Sequence, residues 1–211
     1  MTDDIQRVAT AWGRIEAWLQ VHAPASAALL RPPASAAAVA AAETAMGLEL
    51  PATLAAWYRL RDGFDEGHGS GILPSGMAML PLEQLVDEYQ THTDDWEREE
   101  GIVPFARTAG DLWSGWYVDA RKDDPFFGGL GHWSVDGGDE PYPSGSDRWL
   151  LADWLVELAA ALEEGRCLQW PGGGTDAYNW PVLTGRQGLT WVDPRDPRLF
   201  PDGMSKLEGP R

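Results

Sequence analysis

Cysteine, basic side chains and long apolar runs are scarce in this chain, and each scarcity excludes a kind of structure or function. Cys167 is the only cysteine, so no disulfide can form within the chain, and a lone thiol is not a catalytic signature. No apolar stretch approaches the roughly 20 residues that span a bilayer. The chain starts with MTDD, which is acidic where a secretory signal would be basic. We therefore expect a cytoplasmic protein that does not bind membranes.

The charge balance is strongly acidic. The chain has 16 Lys and Arg against 33 Asp and Glu, which gives a formal net charge of −17. Such a surface repels phosphate backbones, so we expect no nucleic-acid partner, because nonspecific nucleic-acid binding depends on Lys and Arg. It attracts basic proteins and raises their association rate at low salt. The alternative is that the acidity serves only solubility.

Patterns that mark catalytic and cofactor sites are missing from the sequence. No Gly-x-Ser-x-Gly elbow occurs, and the glycine-rich runs at 67–71 and 172–174 lack the Lys-Ser or Lys-Thr of a phosphate loop. Histidines and carboxylates cluster at 65–68 and 92–95, but neither spacing matches zinc, calcium or facial-triad ligands. We therefore expect a protein that is not an enzyme and that has no metal and no cofactor.

Hydrophobic periodicity predicts a single α+β domain with an antiparallel sheet flanked by helices. Apolar residues recur at helical spacing in 4–21 and in 147–164, and Ser146 is placed to cap the second of these helices. Short apolar segments follow one another closely in the middle of the chain, which favours antiparallel pairing. These strands are expected at 102–106, 112–119 and 129–135.

The last part of the chain differs in composition from the rest. Residues 166–211 are rich in Trp, Gly and Pro, so we predict a C-terminal extension to a domain that covers 1–165. Within the extension, 188–192 has the apolar pattern of a strand, which could join the sheet edge. The residues from Pro194 onward are expected to form a tail.

The most informative segment is 43–63, ETAMGLELPATLAAWYRLRDG, because it predicts two helices and the turns that bound them. Ser35 can cap the first helix, and Gly47 can close it in the left-handed conformation. Pro51 suits the start of the second helix, and Asp62-Gly63 ends it as a turn. The buried side of the second helix is expected to comprise Leu54, Trp57, Tyr58 and Leu60.

This order of helix, Gly, Leu-Pro, aromatic helix and Asp-Gly resembles the signature of the SUKH superfamily, which includes fungal Smi/Knr-type cell-wall assembly regulators and many bacterial immunity proteins. A second stretch, from Val103 to Asp119, is similar to the central strands of that family. The resemblance covers roughly 1–165 and implies a SUKH-like α+β fold. The residues that match the signature are Glu43, Gly47, Leu50, Pro51, Tyr58, Asp62 and Gly63.

Acidic residues concentrate between Glu83 and Glu100, with Trp96 among them. An aromatic side chain surrounded by carboxylates is typical of an interface for a basic partner. The alternative is a solvated helix end with Trp96 folded onto the core. A second acidic turn follows the predicted strand that ends at Asp119. The predicted partner-binding residues are Asp94, Asp95, Trp96, Glu97, Glu99, Glu100, Asp119, Asp123 and Asp124.

The resemblance implies a bacterial immunity protein that neutralises a cognate toxin, often a nuclease, whose basic cleft an acidic surface could occupy. One alternative is a Smi/Knr-type regulatory scaffold in cell-wall or signalling pathways. Another is a small-molecule-binding protein or hydrolase that uses the sheet face, where Trp113, Trp116 and Trp133 could line a site. Three other tryptophans lie on apolar helical stripes and are expected in the core, namely Trp12, Trp57 and Trp154.

Overall fold

The computed structural model describes residues 2–95, 98–108, 113–143, 148–193 and 205–206. In these residues the helices are α1 (Thr2–His22), α2 (Pro24–Ala27), α3 (Ala36–Met46), α4 (Ala52–Tyr58), α5 (Leu82–Gln90) and α6 (Leu151–Glu164). The strands are β1 (Met77–Met79), β2 (Ile102–Thr108), β3 (Ser114–Asp119), β4 (Leu130–Ser134), β5 (Gly138–Pro141), β6 (Leu168–Gln169), β7 (Thr175–Asp176), β8 (Trp180–Leu183), β9 (Leu189–Val192) and β10 (Ser205–Lys206).

An antiparallel five-stranded sheet in the order β1-β2-β3-β4-β5 forms the centre of the fold, with helices packed against it. The predicted α+β class and antiparallel pairing are confirmed. Aromatic rings join the helices to the sheet: the Trp57 ring centroid lies 5.1 Å from that of Trp12, 6.5 Å from that of Trp154 and 5.9 Å from that of Phe105. All four side chains are buried, so the expected core position of the three tryptophans is confirmed.

The helix α3 begins and ends at the residues that the sequence predicts. The Ser35 hydroxyl accepts a hydrogen bond from the Ala38 amide at 3.0 Å, and Gly47 ends the helix with φ of 71°. The Glu43 carboxylate accepts the Leu50 amide at 3.0 Å. That bond fixes the chain as it leaves α3, which explains why a glutamate one turn before the glycine belongs to this pattern.

The end of the motif shapes the entry to α5. The Tyr58 hydroxyl donates to the Leu80 carbonyl at 2.9 Å, and the Asp62 carboxylate accepts the Leu82 amide at 2.9 Å. Asp62 therefore caps α5, although it lies 20 residues before the first residue of that helix. A Cβ at Gly63 would lie 2.5 Å from the Pro81 nitrogen, and its φ is 73°, so this position requires glycine.

The start of α6 differs from the prediction. The helix begins at Leu151 rather than at 147, because Leu150 is extended and forms an antiparallel bridge with Gly129. The Leu130 amide donates to the Trp149 carbonyl at 2.8 Å, and the Trp149 amide donates to the Tyr142 carbonyl at 3.0 Å. The predicted cap, Ser146, lies outside the described residues. Strand β5, which pairs with β4, was not predicted.

The extension packs into the same core as the rest of the chain. Strand β9 pairs with β8 in a separate small sheet, so its expected addition to the main sheet edge is wrong. The reason is that Trp191 and Leu189 turn inward: the Trp191 indole donates to the Ile72 carbonyl at 2.8 Å, and the Leu189 amide donates to the Ser26 hydroxyl at 2.8 Å. Of the predicted tail, the structure describes only β10, which pairs with β8.

Candidate partner-binding surface

The acidic stretch that follows α5, of which the structure describes 91–95 and 98–100, lies against the sheet, and we call it the acidic segment. A π-helical turn, Thr91–Asp95, buries His92 against Trp133, with ring centroids 4.5 Å apart. The His92 Nε2 atom lies 3.4 Å from a Glu88 carboxylate oxygen, and Arg107 contacts the other oxygen at 3.3 Å. These contacts hold the beginning of the segment on the sheet.

Three further contacts hold the end of the segment. Arg98 donates to the Ser134 carbonyl at 2.6 Å and contacts the Asp139 carboxylate at 3.2 Å. The Gly101 amide donates to the Tyr89 hydroxyl at 3.1 Å. The described part of the acidic segment is therefore attached at both ends.

The sheet face does not present the predicted tryptophan surface. Trp116 is buried in the main core, where its indole donates to the Pro74 carbonyl at 3.1 Å. Trp133 is fully buried beneath His92 on the other face. Trp113 is the exposed one of the three, at 61%. The structure thus leaves no room for a ligand cage of these three side chains.

An open groove of about 690 Å³ separates the C-terminal end of α3 from the acidic segment, and we call it the acidic groove. Asp94 and Glu100 are exposed and line it, and among the described residues no cation lies within ion-pair distance of either carboxylate. Arg98 also lines the groove, but it contacts Asp139. The complete lining is Ala45, Met46, Gly47, Leu48, Tyr89, Gln90, Thr93, Asp94, Arg98, Glu100 and Gly101.

The electrostatic effect of these two carboxylates is visible at Tyr89. Burial raises the pKa of the Tyr89 phenol, and the negative charges of Glu100 and Asp94 raise it further, against the opposing effect of the Gly101 hydrogen bond. Both carboxylates therefore act on the same small region. A Lys or Arg side chain that entered the groove would meet both negative charges.

Three other predicted residues serve a different purpose. Arg121 binds both oxygens of the Asp119 carboxylate, contacts Glu99 at 2.6 Å and contacts Asp124 at 3.4 Å. The hydrogen bond to Asp119 is the largest of the effects that raise the Arg121 pKa. Asp119 has no exposed surface, so its predicted role in direct partner contact is corrected: it is a buried ligand of Arg121.

The remaining predicted residues divide into two groups. Asp123 is exposed and lies on the turn after β3, outside the lining of the acidic groove. Trp96, Glu97 and the side chain of Asp95 lie outside the described residues. The Glu99–Arg121 ion pair brings the two acidic segments together at one end of the sheet. Of the predicted set, Asp94 and Glu100 are the residues that the structure places in a concave site.

Sequence reasoning missed an apolar pocket of about 420 Å³ near the acidic turn. Leu50 and Pro51 form one side of it, and the other side includes Phe127 and Leu150, which are 40% and 49% exposed. The available signal was the pair of phenylalanines that follows Asp123-Asp124-Pro125, since large apolar side chains are unusual in an acidic turn.

The described residues contain no group of three or more His, Cys, Asp or Glu side chains placed to hold a metal ion. No helix in the described ranges is long and apolar enough to cross a membrane. The acidic groove is thus lined by two exposed carboxylates, by Arg98, by glycines and by uncharged helix residues.

Comparison with models of known families shows which family this chain belongs to. The model of the SMI1 / KNR4 family (SUKH-1) matches residues 33–153. The chain belongs to the SMI1/KNR4 family. The SMI1/KNR4 match begins just before α3 and ends in α6, so it contains the acidic groove and leaves out α1 and the extension.

A curated relative adds one further comparison. The chain is 28% identical over 98 residues to "KNR4/SMI1 homolog 1" of Debaryomyces hansenii, an alignment that covers 46% of this chain and 21% of the relative. The chain thus spans about a fifth of the length of the curated relative that it matches.

Proposed function

We propose that this SMI1/KNR4-family protein is a non-catalytic module that binds a basic surface of another protein in the acidic groove. The observation that supports the proposal is the pair of exposed carboxylates, Asp94 and Glu100, which lie on one groove with no described cation at ion-pair distance. Two other predicted acids, Glu99 and Asp124, already contact Arg121 of this chain. The groove is thus a concave site at which negative charge is available to a partner.

The net charge of −17 supports a kinetic role for the acids. A basic partner would be steered toward the protein, and its association rate would fall as salt screens the attraction. A Lys or Arg side chain seated between Asp94 and Glu100 would lose water and gain two charge-assisted contacts, which mainly lengthens the lifetime of the complex.

Within this class, we infer an immunity protein that neutralises a cognate toxin in the cytoplasm. A nuclease toxin fits best, because a nuclease must present a basic cleft for its substrate, and an acidic surface can occupy that cleft in place of phosphates. The resemblance of the Glu43–Gly63 motif to a superfamily that includes many immunity proteins supports this choice.

The second candidate is a regulatory scaffold. It is favoured by the similarity to "KNR4/SMI1 homolog 1" of Debaryomyces hansenii over 46% of this chain. A scaffold would use the same groove for a partner that has no toxic activity. The position of the gene separates the two candidates: immunity requires a toxin gene beside it, and an isolated gene favours the scaffold.

The test is binding of the toxin domain encoded by the neighbouring gene, measured by surface plasmon resonance at low and physiological salt. Neutralising the groove with Asp94→Asn and Glu100→Gln should lower the association rate constant about fivefold at low salt and flatten its salt dependence. The matched control, Asp65→Asn with Glu66→Gln, removes the same charge from an exposed loop outside the groove and should have a smaller effect. Equal effects of the two double variants would contradict the groove assignment.

A growth assay checks the biological role separately. Cells that express the toxin domain should survive when they also produce this protein, and survival should decrease with the groove variant but not with the control variant. If the protein binds the toxin domain and gives no protection, the binding function stands and the immunity role is rejected.

A further inference from the structure

The acidic groove continues along the surface into the apolar pocket. A hollow of about 640 Å³ shares Gly47 and Leu48 with the acidic groove and shares Glu49 and Lys122 with the apolar pocket. The three concavities follow the segment from Gly47 to Pro51, and we call them together the motif channel. The channel has carboxylates at one end and exposed Phe127 and Leu150 at the other.

The apolar end contains a residue that local structure does not favour. Leu150 occupies the N-cap position of α6, makes no side-chain capping bond there and is 49% exposed. Ser, Thr, Asp or Asn at an N-cap is typically better by about 0.5–2 kcal/mol than an apolar residue. An exposed leucine at this position thus weakens the helix start and exposes apolar surface, a combination expected where a residue serves binding.

The middle of the channel carries one exposed ion pair. Lys122 contacts Glu49 at 2.5 Å, and the two side chains are 62% and 73% exposed. Exposed pairs of this kind contribute about 1 kcal/mol or less, so the pair can open when another chain approaches. Glu49 and Lys122 would then offer an acceptor and a donor to the backbone of that chain.

We propose that the motif channel binds one extended segment of a partner protein that carries a Lys or Arg for the acidic groove and a large apolar side chain for the apolar pocket. The basic contact rests on the function proposed above, and the apolar anchor goes beyond it. Gly47 and Pro51 are four residues apart and span at most about 14 Å, which an extended segment crosses in about four residues. The basic and apolar side chains of the partner are therefore expected about four to six residues apart.

The probe for this proposal is a random dodecapeptide library displayed on phage and selected against the full-length protein. The enriched peptides should share a basic residue and a large apolar residue at the stated spacing. Affinity of a fluorescently labelled enriched peptide is then measured by anisotropy for the wild type and for Leu150→Ser. Loss of the apolar contact should raise Kd about tenfold, since burial of a leucine side chain is worth that much.

Two controls separate binding from folding. Leu150→Ser supplies an N-cap hydroxyl, so its Tm should equal or exceed that of the wild type, and a weaker affinity then reports on contact alone. Val21→Ser removes a side chain that is 73% exposed on α1, outside the channel, and should leave Kd unchanged.

The outcomes also separate this proposal from the function on which it rests. Peptides enriched only in basic residues, with affinity that depends on Asp94 and Glu100 and not on Leu150, would overturn the apolar anchor and leave the acidic groove supported. Peptides that bind independently of both sites, or no enrichment of basic residues, would overturn both.

Discussion

Replacing Arg121 with methionine should destabilise the protein more than removal of any exposed acid around it. Arg121 binds Asp119, whose carboxylate has no exposed surface, and it also contacts Glu99 and Asp124. Methionine keeps the aliphatic part of the side chain and removes the charge. The Asp119 carboxylate would then remain buried, with Arg148 at 4.0 Å as its nearest described cation.

The expected size follows from these contacts. Removing one partner of a buried ion pair typically costs about 3–5 kcal/mol, because the other charge stays buried without compensation. Arg121 is 25% exposed and Arg148 remains nearby, so we expect the smaller loss of about 2–3 kcal/mol in the free energy of unfolding. For a chain of this length, that lowers Tm by about 4–12 °C.

The assay is urea unfolding followed by tryptophan fluorescence, with thermal unfolding as a second measurement. Glu99→Gln is the matched control, because it removes an Arg121 partner that is 67% exposed and should cost less than about 1 kcal/mol. Adding Asp119→Asn to Arg121→Met should restore part of the lost stability, since a neutral amide is cheaper to bury than a carboxylate. A loss below about 0.5 kcal/mol in Arg121→Met, or no recovery in the double variant, would refute the reasoning.

Three further predictions concern the framework around the site. Asp62→Ala removes the acceptor of the Leu82 amide and should lower the free energy of unfolding by about 1–2 kcal/mol in urea titrations, whereas Asp62→Asn should lower it less. Gly131→Ala should cost about 2–4 kcal/mol by the same measurement, because its Cβ would overlap the Tyr117 ring, and a second substitution, Tyr117→Ala, should then cost less than it does alone. Burial raises the pKa of Tyr117 to about 12, so its contribution to stability is complete below pH 10, the ordinary value, and is lost as pH rises toward 12. Tyr117→Phe should therefore reduce the alkaline fall in stability by about 1.4 kcal/mol per pH unit in this range, and an unchanged slope would contradict the assignment.

Much of the helical framework could be predicted because its signals are local. Ser35 and Gly47 bound α3 through bonds within a few residues, and the apolar spacing of 4–21 needs only the geometry of one helix. The start of α6 was predicted wrongly because Trp149 pairs with Leu130, which is close in space and distant in sequence. No local sequence pattern predicts a hydrogen bond between residues so far apart in the chain.

The site was harder to predict than the fold. Composition located the acidic segments, but it could not distinguish Asp119, which is buried against Arg121, from Glu100, which lines the acidic groove. A carboxylate that has a cation of the same chain beside it stabilises the fold, whereas an exposed carboxylate without one remains available to a partner. That depends on the pairing of β2 with β3, which places Glu99 next to Arg121.

The sequence by itself determined the α+β class, the caps and turns of the Glu43–Gly63 motif and the excess of negative charge, because each depends on residue type and local spacing. The tertiary structure decided which carboxylates remain available and how the motif relates to a site. The motif residues looked structural in sequence, and Glu43 and Asp62 do bind backbone amides. Packing of α3 beside the acidic segment also makes Gly47, Leu48 and Pro51 the wall of a channel, since a concave surface exists only between elements that tertiary contacts bring together.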